Sequence, residues 1–278
     1  MELQQSPLYT QYIKTLGWQV LTIDRTQIFI RHIPLSGTIA KIQRPTKLPQ
    51  TDKLIPLLKT HHVRTIIAEA SQKQNPEKFS LWCQALKKHF KISSTPYIPT
   101  KTILVDLTTN ETEIFQRFTE AKRRAVRRAQ KNNLRIKESN SIDDLIKIKN
   151  KSAGFLGFLT TFGIKKLWPI FGPKNGAILL AYTPQQKLVG GVLLLFWEKT
   201  AYYWIAGATR EGKKIFAPTL LVWEALKLSK LHGAKNFDFV GVWDERLPHQ
   251  YDSWKGFTKF KEGFGGKTTY YPIATLHR

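Results

Sequence analysis

Ala177-Ile178-Leu179-Leu180-Ala181-Tyr182, Leu188-Val189-Gly190-Gly191-Val192-Leu193-Leu194-Leu195-Phe196 and Ala201-Tyr202-Tyr203-Trp204-Ile205-Ala206-Gly207-Ala208 are three apolar runs. They are separated by Thr183-Pro184-Gln185-Gln186-Lys187 and by Glu198-Lys199-Thr200. Apolar runs of this length bounded by polar turn residues read as strands, and connectors this short join neighbours antiparallel. A meander is therefore expected over 177–208. Downstream, Pro218 stands at the first position of a helix, and Leu220, Leu221, Ala225 and Leu228 carry that helix to a stop at Gly233. Asn236 to Val240 reads as the next strand.

Upstream, Asn110 with Glu111 and Glu113 marks a strong helix start. Ile114, Phe118, Ala121, Ala125 and Ala129 continue one helix to Asn132-Asn133, where Asn tolerates a left-handed end. A strand follows at Leu134 to Glu138, then a helix capped by Ser141 with Asp144, then a Phe/Gly-rich stretch from Gly154 to Gly172. In the first hundred residues, Trp18 to Arg31 reads as a hairpin turning at Asp24-Arg25-Thr26-Gln27. A strand lies between Pro34 and Pro45, a helix over 53–60, a strand over 63–68 and a helix over 81–90. The Pro-bearing stretch Ser93 to Pro99 leads to a strand at Thr102 to Leu107 and marks the seam. The expectation is an α+β protein of two units, 1–109 and 110–264, with 265–278 completing the first.

The 278 residues hold 44 Lys+Arg against 20 Asp+Glu, a formal charge of +24. With 42% hydrophobic and 23% charged residues, the chain has material for a core, which excludes the disordered basic proteins. Its one cysteine, Cys83, excludes an intrachain disulfide framework and a Cys-based zinc site and suits a reducing compartment. Met1 to Pro7 has neither a basic nor an apolar leader region, so a cytoplasmic chain is expected. Leu188 to Ala208 is too interrupted for a membrane span. So large a positive excess either serves solubility or implies a polyanionic partner: RNA, DNA, a phosphorylated metabolite or an anionic membrane surface.

Two segments carry chemistry. In Lys122-Arg123-Arg124-Ala125-Val126-Arg127-Arg128-Ala129-Gln130-Lys131, six of ten residues are basic, and Arg124, Arg127, Arg128 and Lys131 form a stripe opposite small apolar positions. Such a stripe is either a solvated helix face or a phosphate-binding one, and Arg forks suit phosphate. In Phe257 to Gly266, helical spacing places Phe257, Phe260 and Phe264 in an aromatic stripe with Lys261 only about 40° from Phe257. Lys261 either snorkels over the core or holds its ammonium in a partly desolvated site, where it could stabilise an oxyanion or phosphate. Asp238 reads as a strand-end polar residue, structural or facing a cleft. Tyr251 and Trp254 read as core packing or as lining the same cleft. His61-His62 has no partner set that would hold a metal.

In this order and separation, both segments resemble the FemABX family of peptidoglycan-bridge aminoacyltransferases, part of the GCN5-related acetyltransferase (GNAT) superfamily. Ser6 to Trp18, Tyr203-Trp204-Ile205-Ala206-Gly207-Ala208, Ala217-Pro218 leading to Trp223-Glu224, and Phe237-Asp238-Phe239-Val240-Gly241 add to it. The resemblance implies two acetyltransferase-like domains, each a mainly antiparallel sheet flanked by helices, with a cleft between them. It further implies transfer of an amino acid from aminoacyl-tRNA to an amine of a UDP- or lipid-linked muropeptide, at or near the inner membrane face, with aminoacyl-tRNA as co-substrate and no cofactor. By similarity Lys261 takes the cationic role and Phe260 shapes the site. Lys122, Arg124, Arg127, Arg128, Lys131, Trp204, Asp238 and Tyr251 would hold the polyanionic substrates. Thr160 to Lys166 lacks the arginine expected of members that bind a UDP-linked muropeptide. Two other readings stand beside this one: an acyl-CoA-dependent N-acyltransferase, for which Arg210-Glu211-Gly212-Lys213-Lys214 is the nearest phosphate-loop candidate, and a non-catalytic RNA-binding protein.

Overall fold

The computed structural model describes residues 1–154, 160–248 and 250–274. Part of the Gly154 to Gly172 stretch, and the last four residues of the expected C-terminal completion, lie outside the described residues. The chain divides into two compact units, one holding Met1–Lys101 and the segment from Thr269, the other Thr102–Thr268.

In the first unit, β1 (Gln19–Ile23), β2 (Thr26–Ile33), β3 (Gly37–Gln43), β4 (Val63–Glu69) and β5 (Lys91–Ile92) form one sheet in that order. The first two pairings are antiparallel and the last two parallel. The hairpin turn is tighter than the sequence suggests, because Asp24 and Arg25 both adopt positive φ and Thr26 already pairs with Ile23. Strand alternation sends Ile28 and Ile30 into a core with Ala40, Ile42, Leu54, Leu58, Phe79 and Leu86. Phe29, of opposite parity, packs against Tyr9 of α1 (Pro7–Thr15). Leu54 and Leu58 come from α2 (Thr51–Thr60) and Phe79 and Leu86 from α3 (Pro76–Lys87). Helix α3 starts five residues before the expected Leu81 and ends three before Phe90, because the Asn75 side chain accepts from Lys78 N and Pro76 fixes the first turn.

The second unit is built on a seven-stranded sheet, ordered β12-β6-β11-β10-β9-β8-β7. Its strands are β6 (Lys101–Asp106), β7 (Arg135–Ser139), β8 (Gly176–Tyr182), β9 (Leu188–Trp197), β10 (Thr200–Ala208), β11 (Asn236–Asp238) and β12 (Lys267–Tyr270). The expected meander is present, β7 through β10 pairing antiparallel. The expected seam at 109/110 moves to 101/102, because β6 pairs with β11 and so belongs to the second sheet. The helix expected from Asn110 to Asn133 is two, α4 (Glu111–Gln116) and α5 (Glu120–Lys131). Phe118 turns inward at the break and meets Trp223 at 5.6 Å and Phe264 at 5.0 Å. Thr119 N donates to Gly263 O, and the Arg123 guanidinium donates to the free carbonyls of Gln116 and Phe118. Helix α5 does end with Asn133 at positive φ.

Helix α6 (Ile142–Ala153), capped by the Ser141 side chain, packs on β9 and β10, and α7 (Ile164–Asn175) packs on β8. The short α8 (Arg210–Lys214) precedes α9 (Ala217–Leu231), whose Leu220, Leu221, Ala225 and Leu226 join the sheet core, and α9 ends with Gly233 at positive φ. The last helix is α10 (Lys255–Glu262).

Candidate active site

The site lies where β10 and β11 part. Their parallel pairing lasts only from Thr200↔Asn236 to Tyr202↔Asp238. Beyond it, β10 shifts register between Tyr203 and Ile205, so Trp204 is an extra residue relative to β9, a bulge that bends the strand. On the other side, Phe239 N still donates to Ile103 O, and then Val240 takes φ 66, an expensive conformation for a β-branched residue. Asp238 holds that bend. It is 3% exposed, its Oδ1 accepting from Thr102 Oγ1 at 2.5 Å and from Val240 N at 2.7 Å.

Because the chain bends there, the carbonyls of Phe239 and Gly241 both face the Lys261 ammonium, which donates to them at 2.8 and 2.6 Å. The Phe257 ring lies 4.8 Å from Nζ. Burial pulls the ammonium from 10.5 down to about 7; the Asp238 carboxylate opposes this and the Lys149 ammonium adds to it. An ammonium has three donors, and with two engaged by carbonyls one is left for an incoming oxygen. Lys149 reaches this neighbourhood because α6 rests directly on β10 at Gly207, where a Cβ would come within 2.9 Å of Lys149 Cα. Burial lowers the Lys149 pKa, and Lys213 lowers it further.

The other sequence-expected residues divide. Phe260 does not face the ammonium. Its ring packs on Phe264 at 5.1 Å and carries the Lys122 ammonium 3.8 Å from its centroid, so the two form a cation–π pair beside the site. Burial lowers the Lys122 pKa to about 8. Arg124, Arg127, Arg128 and Lys131 are exposed on one face of α5, opposite buried Ala125, Val126 and Ala129. Arg124 pairs with Glu120 at 3.6 Å, while Arg127 lies 5.9 Å from the Phe115 ring and Arg128 5.9 Å from that of Phe216. Tyr251 is not core: it is 42% exposed and its ring lies tilted against that of Trp254 at 4.6 Å. Sequence reasoning missed Lys149, Thr102 and the two carbonyls. Lys149 is one of several lysines on its helix, and carbonyl positions follow from the Val240 bend, for which the only signal was Gly241 after a short strand.

The first unit holds a second feature that the sequence did not announce. A cavity of about 190 Å³ is lined by Arg44, Glu69, Phe79, Ser93 and Tyr271 among others. The Arg44 guanidinium lies 3.6 Å from the Tyr271 ring and donates to Pro99 O, and the Glu69 carboxylate accepts from Gln43, Tyr97 N and Ile98 N.

The FemAB family model matches residues 177–272, the stretch that runs from β8 through Asp238 to Lys261. Along the chain the fold is that of a FemX crystal structure, at 16% identity and a TM-score of 0.72, covering 98% of this chain and 91% of that one. Over residues 177–272 the chain is similar to the FemAB family. It also shares its fold with the C-terminal domain of a putative lysylphosphatidylglycerol synthetase from Agrobacterium fabrum (12% identity, TM-score 0.61, covering 97% and 87%). A tandem GNAT protein from the clavulanic acid biosynthesis pathway follows at 11% identity and TM-score 0.52, covering 88% of this chain and 77% of that one. No curated protein matches the chain.

In the turn considered for acyl-CoA phosphates one backbone donor is already engaged. The Gly212 amide is taken by Thr209 Oγ1 at 3.0 Å, and a Cβ at Gly212 would come within 2.3 Å of Val189 O. Gly212 is there for close helix–strand packing. Among the described residues, no helix is long and apolar enough to cross a membrane.

Proposed function

We propose that this FemAB-like chain is an acyltransferase, and specifically that it moves an amino acid from aminoacyl-tRNA to an amine on the stem peptide of a peptidoglycan precursor. The observation that carries the reading is Lys261: a desolvated ammonium fixed by two carbonyls, with one donor to spare, inside the segment matched by the family model. The net charge of +24 and the exposed arginine face of α5 suit a polyanionic donor, and a UDP- or lipid-linked acceptor is anionic as well.

The chemistry asks little of the protein. The ester of an aminoacyl-tRNA is already activated, so the acceptor amine attacks its carbonyl carbon and the carbonyl π pair moves onto oxygen. The free Lys261 N–H donates to that oxyanion, an interaction stronger in the transition state than in the ground state. Collapse re-forms the carbonyl, breaks the bond to the ribose oxygen, and the proton lost by the amine ends on that oxygen. Lys261 must be charged for this role and the amine uncharged, so the rate follows a bell whose basic limb falls near pH 7, where Lys261 loses its proton.

The test is transfer of a radiolabelled amino acid from a charged tRNA pool to lipid-linked and UDP-linked muropeptides, with an RNase control and a parallel acyl-CoA arm. RNase-sensitive labelling of a muropeptide that is lost in Lys261→Ala is expected. Labelling from acyl-CoA alone overturns the donor assignment, and RNA binding without transfer overturns the enzymatic reading.

A further inference from the structure

Three aromatic rings form a continuous ladder that runs from solvent to Lys261. The Tyr251 ring lies tilted by 33° against Trp254 with centroids 4.6 Å apart, and Trp254 meets Phe257 at 5.1 Å and 48°. Phe257 in turn lies 4.8 Å from Lys261 Nζ. The outer rings are open, Tyr251 being 42% and Phe257 36% exposed. This is unusual placement for three large rings within seven residues, since burying them would be worth several kcal/mol.

The ladder is held in place. Tyr251 takes φ 58, a conformation that costs a bulky residue, and its carbonyl accepts from Trp254 N at 2.8 Å. The preceding loop is pinned to α10 on both sides: Trp243 N donates to Thr258 Oγ1 at 2.8 Å, Trp243 Nε1 donates to Asp252 Oδ1 at 3.1 Å, and the Lys255 ammonium sits 4.6 Å from the Trp243 ring.

The geometry points to this ladder as a stacking platform for the unpaired 3′ end of an RNA, whose bases lie along Tyr251, Trp254 and Phe257 so that the terminal ribose ester reaches Lys261. The inference rests on the aminoacyl-tRNA reading and names the part of the chain that would read the single-stranded end. Two properties favour bases over a sugar ring. Stacking on aromatic faces is how single strands are held without sequence readout, with cations tracking the phosphates. Lys259, exposed on α10, and the chain's net charge of +24 supply those positive surroundings. A sugar needs acceptors for its hydroxyls, whereas the carboxylate beside the ladder, Asp252, is already engaged by Lys255 at 3.1 Å and by Trp243.

The experiment measures fluorescence anisotropy of two RNA hairpins, one with a four-nucleotide unpaired 3′ tail and one blunt, against wild type, Tyr251→Leu, Trp254→Leu and Trp254→Phe. Wild type is expected to prefer the tailed hairpin. Tyr251→Leu and Trp254→Leu each weaken tailed binding by about tenfold while leaving blunt binding unchanged, and Trp254→Phe restores part of the loss. Equal affinity of wild type for both hairpins, or equal loss on both, overturns the platform while leaving tRNA as donor. Loss of binding to a UDP-linked muropeptide in Trp254→Leu, with tailed RNA unaffected, assigns the ladder to a sugar and overturns it too. No salt-sensitive RNA binding by wild type overturns the donor reading itself. Tyr251 is exposed, so Tyr251→Leu reports on binding even where Trp254→Leu is poorly folded.

Discussion

Replacing Lys261 with methionine keeps the length of the stem and removes its charge. In the folded chain the ammonium sits near 7 instead of 10.5, because burial and the Lys149 ammonium disfavour the charged form. Between those two values the unfolded chain binds a proton that the native chain does not, so native stability rises with pH across that window. Below pH 7 both states are protonated and the full cost is present; above 10.5 it is gone. At ~1.36 kcal/mol per pH unit, the span amounts to about 3–5 kcal/mol for this partly exposed residue. Methionine abolishes that dependence, while leaving the carbonyls of Phe239 and Gly241 without their donor costs about 1–3 kcal/mol at every pH. The unfolding free energy of Lys261→Met relative to wild type is therefore most favourable at pH 6 and moves against the variant by about 3–5 kcal/mol by pH 10. Urea unfolding followed by tryptophan fluorescence at pH 6, 7, 8, 9 and 10 measures it. A difference that stays flat over that range refutes the account of a desolvated ammonium, whatever its sign.

Replacing Arg127 and Arg128 together with serine is expected to weaken RNA binding and to reduce the log–log salt slope by about 2, one for each phosphate no longer neutralised, with Lys261-dependent chemistry on saturating substrate unchanged. Arg123→Met frees the carbonyls of Gln116 and Phe118; it should lower stability by about 1–3 kcal/mol in thermal melts and leave RNA affinity as it was. Phe118→Ala opens the cluster formed with Trp223 and Phe264 and is expected to cost about 3–5 kcal/mol by urea titration. Gly207→Val drives a branched Cβ against the Lys149 backbone and should lower both stability and transfer rate; a variant that transfers normally would show that the seating of α6 on β10 does not matter to the site.

Much of the architecture is legible because its signals are local. The meander over 177–208 is bounded by turn residues, Pro218 and Gly233 bracket their helix, and Ser141 and Asn110 cap theirs. What the sequence hides depends on distant partners. The break at Phe118 interrupts a pattern with good helical spacing, and it exists because Phe118 belongs to a cluster with Trp223 and Phe264, about 100 and 150 residues away. Within the site, Lys261 stands out from its position beside Phe257 on a helical wheel. Phe260, its chain neighbour, necessarily points about 100° away and ends on Lys122. The role of Asp238 is likewise invisible locally, since Thr102, which donates to it, lies 136 residues upstream.

The first unit is assembled from both sides of the second, residues 1–101 and the segment from 269 onward, so its later part is made only after the whole of 102–268 has been translated. Closing a gap of that size by a flexible chain is slow and entropically costly. The second sheet removes the difficulty, because β6 and β12, the strands that lead into and out of it, are immediate neighbours. Once that sheet has formed, the two halves of the first unit are tethered about one strand spacing apart, ~4.8 Å. Folding should therefore run from the inserted unit outward, and a ribosome-stalled chain ending near residue 268 should already protect β8–β10 from hydrogen exchange while leaving the Tyr271–Arg44 pairing unmade.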